Sequence, residues 1–134
     1  MRSFSSASNS SMITTLHSEH RVGSHPGTIV FIHGNSSSMR VYDPIFDTNE
    51  LPYSLFRFDL PGHGKSPHSN DVEMYAYPQL CRIVTEMLTQ LEGDLLVVGH
   101  SFGGHLSIDI ASGLPALKGL VIFGSPPLKI PVNP

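Results

Sequence analysis

The pentapeptide Gly99-His100-Ser101-Phe102-Gly103 sets a serine between glycines two residues before and two residues after it. Ahead of it, Leu95–Val98 is a short aliphatic run, and behind it a helical pattern begins. An apolar strand that runs straight into a helix leaves one residue at the sharp turn, often in a strained φ/ψ region. The flanking glycines let strand and helix backbones approach closely. In that context G-x-S-x-G pushes the serine hydroxyl out at the carboxyl end of a sheet, above a helix N-terminus. Negative charge developing there meets free backbone N–H groups and the positive end of the helix dipole. The chemistry this favours is nucleophilic attack through a transient oxyanion.

Two other strand ends carry polar residues. Thr28–His33 is a nearly continuous apolar and β-branched run, as expected of a parallel strand buried on both faces, and it leads into His33-Gly34-Asn35 and three serines. Ser54–Leu60 is a second predicted strand ending at Asp59, followed by Pro61-Gly62-His63-Gly64-Lys65-Ser66-Pro67. That turn lacks the G-x-x-x-x-G-K-S/T spacing of a phosphate loop, since one residue separates its glycines. It reads as a turn that shapes a loop.

The elements that must position these residues follow in order. Met12–His20 is expected to hold a short strand, and Met39–Phe46 a short helix with Tyr42, Ile45 and Phe46 facing inward. Pro78–Glu92 reads as an amphipathic helix, with Tyr77, Leu80, Cys81, Val84, Leu88 and Leu91 on one stripe. Pro78 suits its first turn and Gly93 its C′ position. Cys81 on that stripe is expected to be core. Asp94–Gly99 is a strand, Phe102–Ser112 the helix after the serine, and Leu117–Gly124 a further strand; the proline-rich tail is loop. Strands alternating with helices imply an α/β fold, a mostly parallel sheet with right-handed crossovers and helices on both faces.

Composition narrows the function classes. With 134 residues, 40% hydrophobic and 14% charged, the chain suits a single domain. A formal charge of −3 carries no signal for nucleic acid or anionic membranes. The eight histidines are scattered without metal-ligand spacing, so neither a metal nor a cofactor is expected. The lone cysteine cannot form an internal disulfide, which fits a reducing compartment. No apolar run approaches membrane-spanning length. Residues 1–11 contain six serines and no apolar signal core, and read as a disordered leader before a domain over 12–134. A cytoplasmic location is the expectation, an organelle-targeting leader the weaker alternative.

From about Thr28 to Pro126 the chain resembles the N-terminal half of an α/β-hydrolase fold protein of the serine branch. FIHGNSS (Phe31–Ser37) is similar to that family's oxyanion loop, DLPGHGKS (Asp59–Ser66) to the turn after its fourth strand, and GHSFG to its nucleophile elbow. The resemblance implies Ser101 as nucleophile and an oxyanion hole from the backbone N–H groups of Phe102 and Asn35. It implies supporting roles for Gly99, His100, Gly103, Gly34 and His33, the last as a hydrogen-bonded structural histidine. A serine here, rather than an aspartate, argues against the epoxide-hydrolase and haloalkane-dehalogenase branches. The implied reaction is hydrolysis of an ester or thioester of a small acyl substrate through an acyl-serine, with carbon–carbon bond hydrolysis and a perhydrolase-like activity left open by the same motifs.

A serine needs a base, which in the family is a histidine late in the chain, oriented by an acid before it. This sequence has no Asp, Glu or His after Asp109. Of the histidines present, His105 lies four residues past Ser101 but Ser101 is not a regular helical residue; His63 and His68 lie on loops at the correct rim; His100 is expected to leave on the other side of the strand. Asp59 and Asp109 have no identifiable histidine to orient. The expectation is a truncated hydrolase core that stops after the equivalent of the sixth strand, without cap or C-terminal strands. The alternative is a non-catalytic binding or interaction module on the same fold. In the truncated core Leu117–Gly124 is expected to be an uncovered apolar edge through which the chain self-associates.

Overall fold

The computed structural model describes residues 16–48 and 50–126. Five strands form one sheet: β1 (Ser18–Arg21), β2 (His25–Ile32), β3 (Tyr53–Phe58), β4 (Leu95–His100) and β5 (Leu117–Phe123). Their spatial order is β1-β3-β2-β4-β5. β1 runs antiparallel to β3, and the remaining neighbours are parallel. The register pairs Val30 with Phe56 on one side and with Val97 on the other, so the apolar runs lie side by side at the centre of the sheet. The three parallel connections carry α1 (Asp43–Phe46), α2 (Tyr77–Leu88) and α3 (Phe102–Ile110). A 3-10 turn over Met39–Tyr42 leads into α1.

Strand alternation divides the apolar side chains between two faces. Val30, Ile32, Phe56, Phe58 and Val97 face α2 and α3, whose Leu80, Ile83, Val84, Leu88, Leu106 and Ile110 close the larger core. Phe31 and Leu55 face the other way and pack under Tyr42, with Ile45, Phe46 and Val98 half-buried around them. Helices therefore cover both faces unequally. The strand expected within Met12–His20 is β1, displaced to Ser18–Arg21; residues 12–15 and the leader at 1–11 lie outside the described residues, as do 127–134 of the tail.

Three expectations shift. α2 ends at Leu88 rather than Glu92. The next residues fold into tight turns, Gln90 N–H on Met87 C=O and Leu91 N–H on Leu88 C=O, because the chain must reverse to reach β4. Gly93 then serves that reversal, with φ +78, and is not the residue after the helix cap. α3 ends at Ile110, and Ala111–Gly113 tightens into a 3-10 turn. A further 3-10 turn, Val72–Tyr75, is capped by the Asp71 side chain on Glu73 N–H.

Candidate active site at the carboxyl ends of the strands

Ser101 is the one residue between β4 and α3, and its backbone stands at φ 53, ψ −116. That region is uncommon for any residue but glycine. Its N–H donates to the Phe123 carbonyl at 3.0 Å, and its carbonyl accepts from Gly104 N–H at 2.9 Å. The Ser125 hydroxyl donates to that carbonyl too, at 2.7 Å. The turn is thus pinned by the residues that end β5.

The glycines of the pattern are demanded by close approach. A Cβ on Gly99 would lie 2.5 Å from the Gly103 carbonyl oxygen, and one on Gly103 would lie 2.5 Å from that of His33. Gly34 brings the loop after β2 alongside: its Cβ would lie 3.2 Å from Ser101 Cβ. Asn35 and Ser36 form an exposed turn there, with Ser36 at φ 56. Phe102 opens α3, and first-turn N–H groups have no acceptor within their own helix. The structure therefore brings Ser101, Phe102, Gly34 and Asn35 to one rim of the sheet.

His33 is fully buried. Leu60 N–H donates to its Nε2 at 3.0 Å, so Nδ1 carries the proton and donates to the Gly34 carbonyl at 2.7 Å. Burial holds this imidazole below its ordinary pKa of 6.5, with His63 adding to the effect and Gly34 and Asp59 opposing it. His63 also has both nitrogens engaged: Nδ1 donates to the Pro61 carbonyl at 3.0 Å, and Nε2 accepts from Ser36 N–H at 3.2 Å. It is not free to serve Ser101. His100 is half-buried and stacks on Phe123 at 4.8 Å between ring centroids, its Nδ1 buried without a partner. His105 likewise has a buried, unpartnered Nδ1, and His68 is exposed. No histidine side chain hydrogen-bonds Ser101 Oγ among the described residues.

Asp59 serves the fold. Its Oδ1 accepts from Met39 N–H at 2.8 Å and its Oδ2 from Lys65 N–H at 2.9 Å. A side chain on Gly64 would collide with this carboxylate. The Ser66 hydroxyl donates to the Asp59 carbonyl and accepts from His17 N–H. The glycine-rich turn thus wraps an anion of its own chain rather than a phosphate. Asp109 accepts from the Tyr77 hydroxyl, whose ring meets Phe102 edge-on at 6.0 Å between centroids. Burial, reinforced by Asp109, raises the Tyr77 pKa. Cys81 packs half-buried against the core, and burial pushes its thiol up.

One polar assembly has no counterpart among the expected site residues. Arg57, buried in β3, is paired with Glu19 at 2.6 Å and Asp43 at 2.7 Å, donates to the Met39 carbonyl, and lies 4.1 Å over the Phe46 ring. It fastens β1 and α1 to the sheet. A lone arginine in an apolar strand is the sequence signal that such partners exist.

Two surface hollows, of about 330 Å³ and 670 Å³, open at the amino ends of the strands, around Ile29, Tyr53 and Lys118 and around His20, His25 and Glu92. They lie away from Ser101. Among the described residues no group of three or more His, Cys, Asp or Glu side chains is gathered to hold a metal ion, and no helix is long and apolar enough to cross a membrane.

Comparison with known proteins agrees with this geometry. Residues 29–134 match the profile described as "Alpha/beta hydrolase family". Lipase LipV of Mycobacterium tuberculosis is 28% identical over 120 residues, covering 89% of this chain and 44% of the lipase. The solved structure of the N-acyl homoserine lactonase AidH with N-butanoyl homoserine superposes with a TM-score of 0.70 at 33% identity, over 82% of this chain and 41% of the lactonase. The monoacylglycerol lipase of Paleococcus ferrophilus gives 0.72 at 25% identity, over 89% and 46%. This chain spans less than half the length of each. Three motifs in order, a parallel sheet that turns into a helix at Ser101, and the profile match all lead to one conclusion: the chain belongs to the alpha/beta hydrolase family.

Proposed function

We propose that this chain carries the nucleophile and oxyanion-binding part of a serine hydrolase acting on carboxylic ester or thioester bonds. The observation that carries the reading is the Ser101 backbone, held at φ 53 between β4 and α3 beside the Asn35–Ser36 turn. The names of the matched proteins, lipase and lactonase, point to the same bond class.

Ser101 Oγ adds to the acyl carbon while its proton passes to a base. The carbonyl oxygen becomes an oxyanion facing the N–H groups of Phe102 and Asn35, each worth about 2.7–4 kcal/mol by analogy with measured oxyanion donors. Collapse breaks the C–O or C–S bond, the leaving group takes up the proton, and an acyl-serine remains. Water then adds to the acyl carbon and expels Ser101. Gly34, Gly99 and Gly103 permit the close packing, His33 supports the loop from below, and His100 packs beside the elbow. His33 and His63 each use both ring nitrogens, and no histidine side chain hydrogen-bonds Ser101 Oγ among the described residues, so this reading assigns no base.

That no histidine side chain hydrogen-bonds Ser101 Oγ among the described residues favours a second reading, a non-catalytic binding or interaction module. A fluorophosphonate probe separates the two. Hydrolase chemistry predicts covalent labelling of the folded chain that disappears in Ser101→Ala, or at least a slow acylation burst with an activated ester. A folded sample that neither labels nor bursts, and whose partner binding tolerates Ser101→Ala, overturns catalysis in favour of the module.

A further inference from the structure

His63 belongs to the turn after β3, yet its ring reaches the loop after β2. Its backbone is fixed from both sides: its N–H donates to Leu60 C=O at 2.9 Å, and its carbonyl accepts from Ser66 N–H at 3.0 Å. It stands between two glycines of positive φ, Gly62 at 74 and Gly64 at 50. The Asp59 carboxylate, bound to Lys65 N–H, holds the turn beneath it. The ring packs against His33 at 5.1 Å between centroids.

The hydrogen bonds fix the tautomer. The Pro61 carbonyl can only accept, so Nδ1 carries the proton. Nε2 then offers its lone pair to Ser36 N–H at 3.2 Å. Ser36 has a positive φ, which a serine adopts only when its surroundings hold it there. Ser36 directly follows Asn35, so whatever fixes the plane of the Asn35–Ser36 peptide also sets the direction of the loop passing Ser101.

We infer that His63 is a positioning residue of the oxyanion loop: as an acceptor for Ser36 N–H it locks the Asn35–Ser36 turn against the Ser101 elbow. The inference rests on the proposed roles of Ser101 and Asn35. It gives the glycine-rich turn after β3 a part in the site that its own motif does not suggest.

The test uses the full chain and two variants that separate ring packing from hydrogen bonding. His63→Phe keeps an aromatic ring against His33 and removes the acceptor; His63→Gln removes the ring and keeps an acceptor oxygen. Amide hydrogen exchange at Ser36 is expected to quicken about fivefold to tenfold in His63→Phe and to stay near the original rate in His63→Gln, with Val97 unchanged in both. Unchanged Ser36 exchange in a folded His63→Phe overturns the inference. Should that variant fail to fold, nitrogen NMR of the unsubstituted chain decides: the Nδ1–H tautomer of His63 supports the lock, and a predominant Nε2–H form, which cannot accept from Ser36, overturns it. Fluorophosphonate labelling of Ser101 is expected to slow in His63→Phe and recover in His63→Gln. Absence of labelling in every form counts against the hydrolase reading, while the exchange rates still judge His63.

Discussion

Between β2 and the serine turn, His33 has both ring nitrogens in use and no exposed surface. Its pKa is held below 6.5, chiefly by burial, so the unfolded chain takes up a proton at a pH where the folded chain resists it. The stability this neutral ring contributes is complete above about pH 6.5 and is lost as the pH falls from there toward the lower folded value. Protonation would also remove the acceptor for Leu60 N–H. Thermal melts followed by circular dichroism are expected to show Tm declining below that pH. His33→Gln should melt lower at neutral pH and lose part of the decline; an unaltered pH slope would refute the assignment. The structural role of His33 was implied by the family resemblance, and the place of Ser101 at a strand-to-helix turn was legible from its flanking glycines, although the structure leaves that residue half-buried. The contact between His63 and Ser36 was not legible. It joins side chain to backbone across two loops, and no spacing along the chain encodes that reach.

For the secondary elements, α2 shows what its apolar stripe contributes. Leu80, Ile83, Val84, Met87 and Leu88 are buried. Each contributes about 1.5–3 kcal/mol by leaving water. Ile83→Ala is expected to destabilise by about 2–5 kcal/mol, read from the shift in a urea midpoint at unchanged slope. The helix itself was readable from Leu80, Val84 and Leu88 and from Pro78, whereas buried Ile83 and Met87 lay off the predicted stripe and Tyr77 on it is exposed. The end of α2 was not readable, because the periodicity of Leu91 continues past the point where the reversal to β4 stops the backbone hydrogen bonds. β3 poses the opposite difficulty. Its alternation contains Arg57, and only the fold shows that β1 and α1 supply Glu19 and Asp43 to meet it.

Taken as a whole, the described sheet has two edges of different character. β1 is a short antiparallel edge, whereas β5 pairs with β4 alone among the described strands and leaves Val121, Ile122 and Phe123 at 47%, 36% and 48% exposure. An apolar edge of this kind recruits another strand. Concentration-dependent association is expected in light scattering coupled to size exclusion, and Val121→Lys should reduce it; a monomer at every concentration would remove the expectation. The succession of parallel strands along the chain was legible because each apolar run stops at a polar loop of recognisable type, but their spatial order was not. Hidden too was how β5 holds the elbow. Ser101 N–H is bound by Phe123 and its carbonyl by Ser125, both far downstream. During synthesis the serine therefore leaves the ribosome well before the residues that bend it into place. The hydrogen bonds that Phe123 and Ser125 make with Ser101 can form only once the nascent chain has been extended past Ser125.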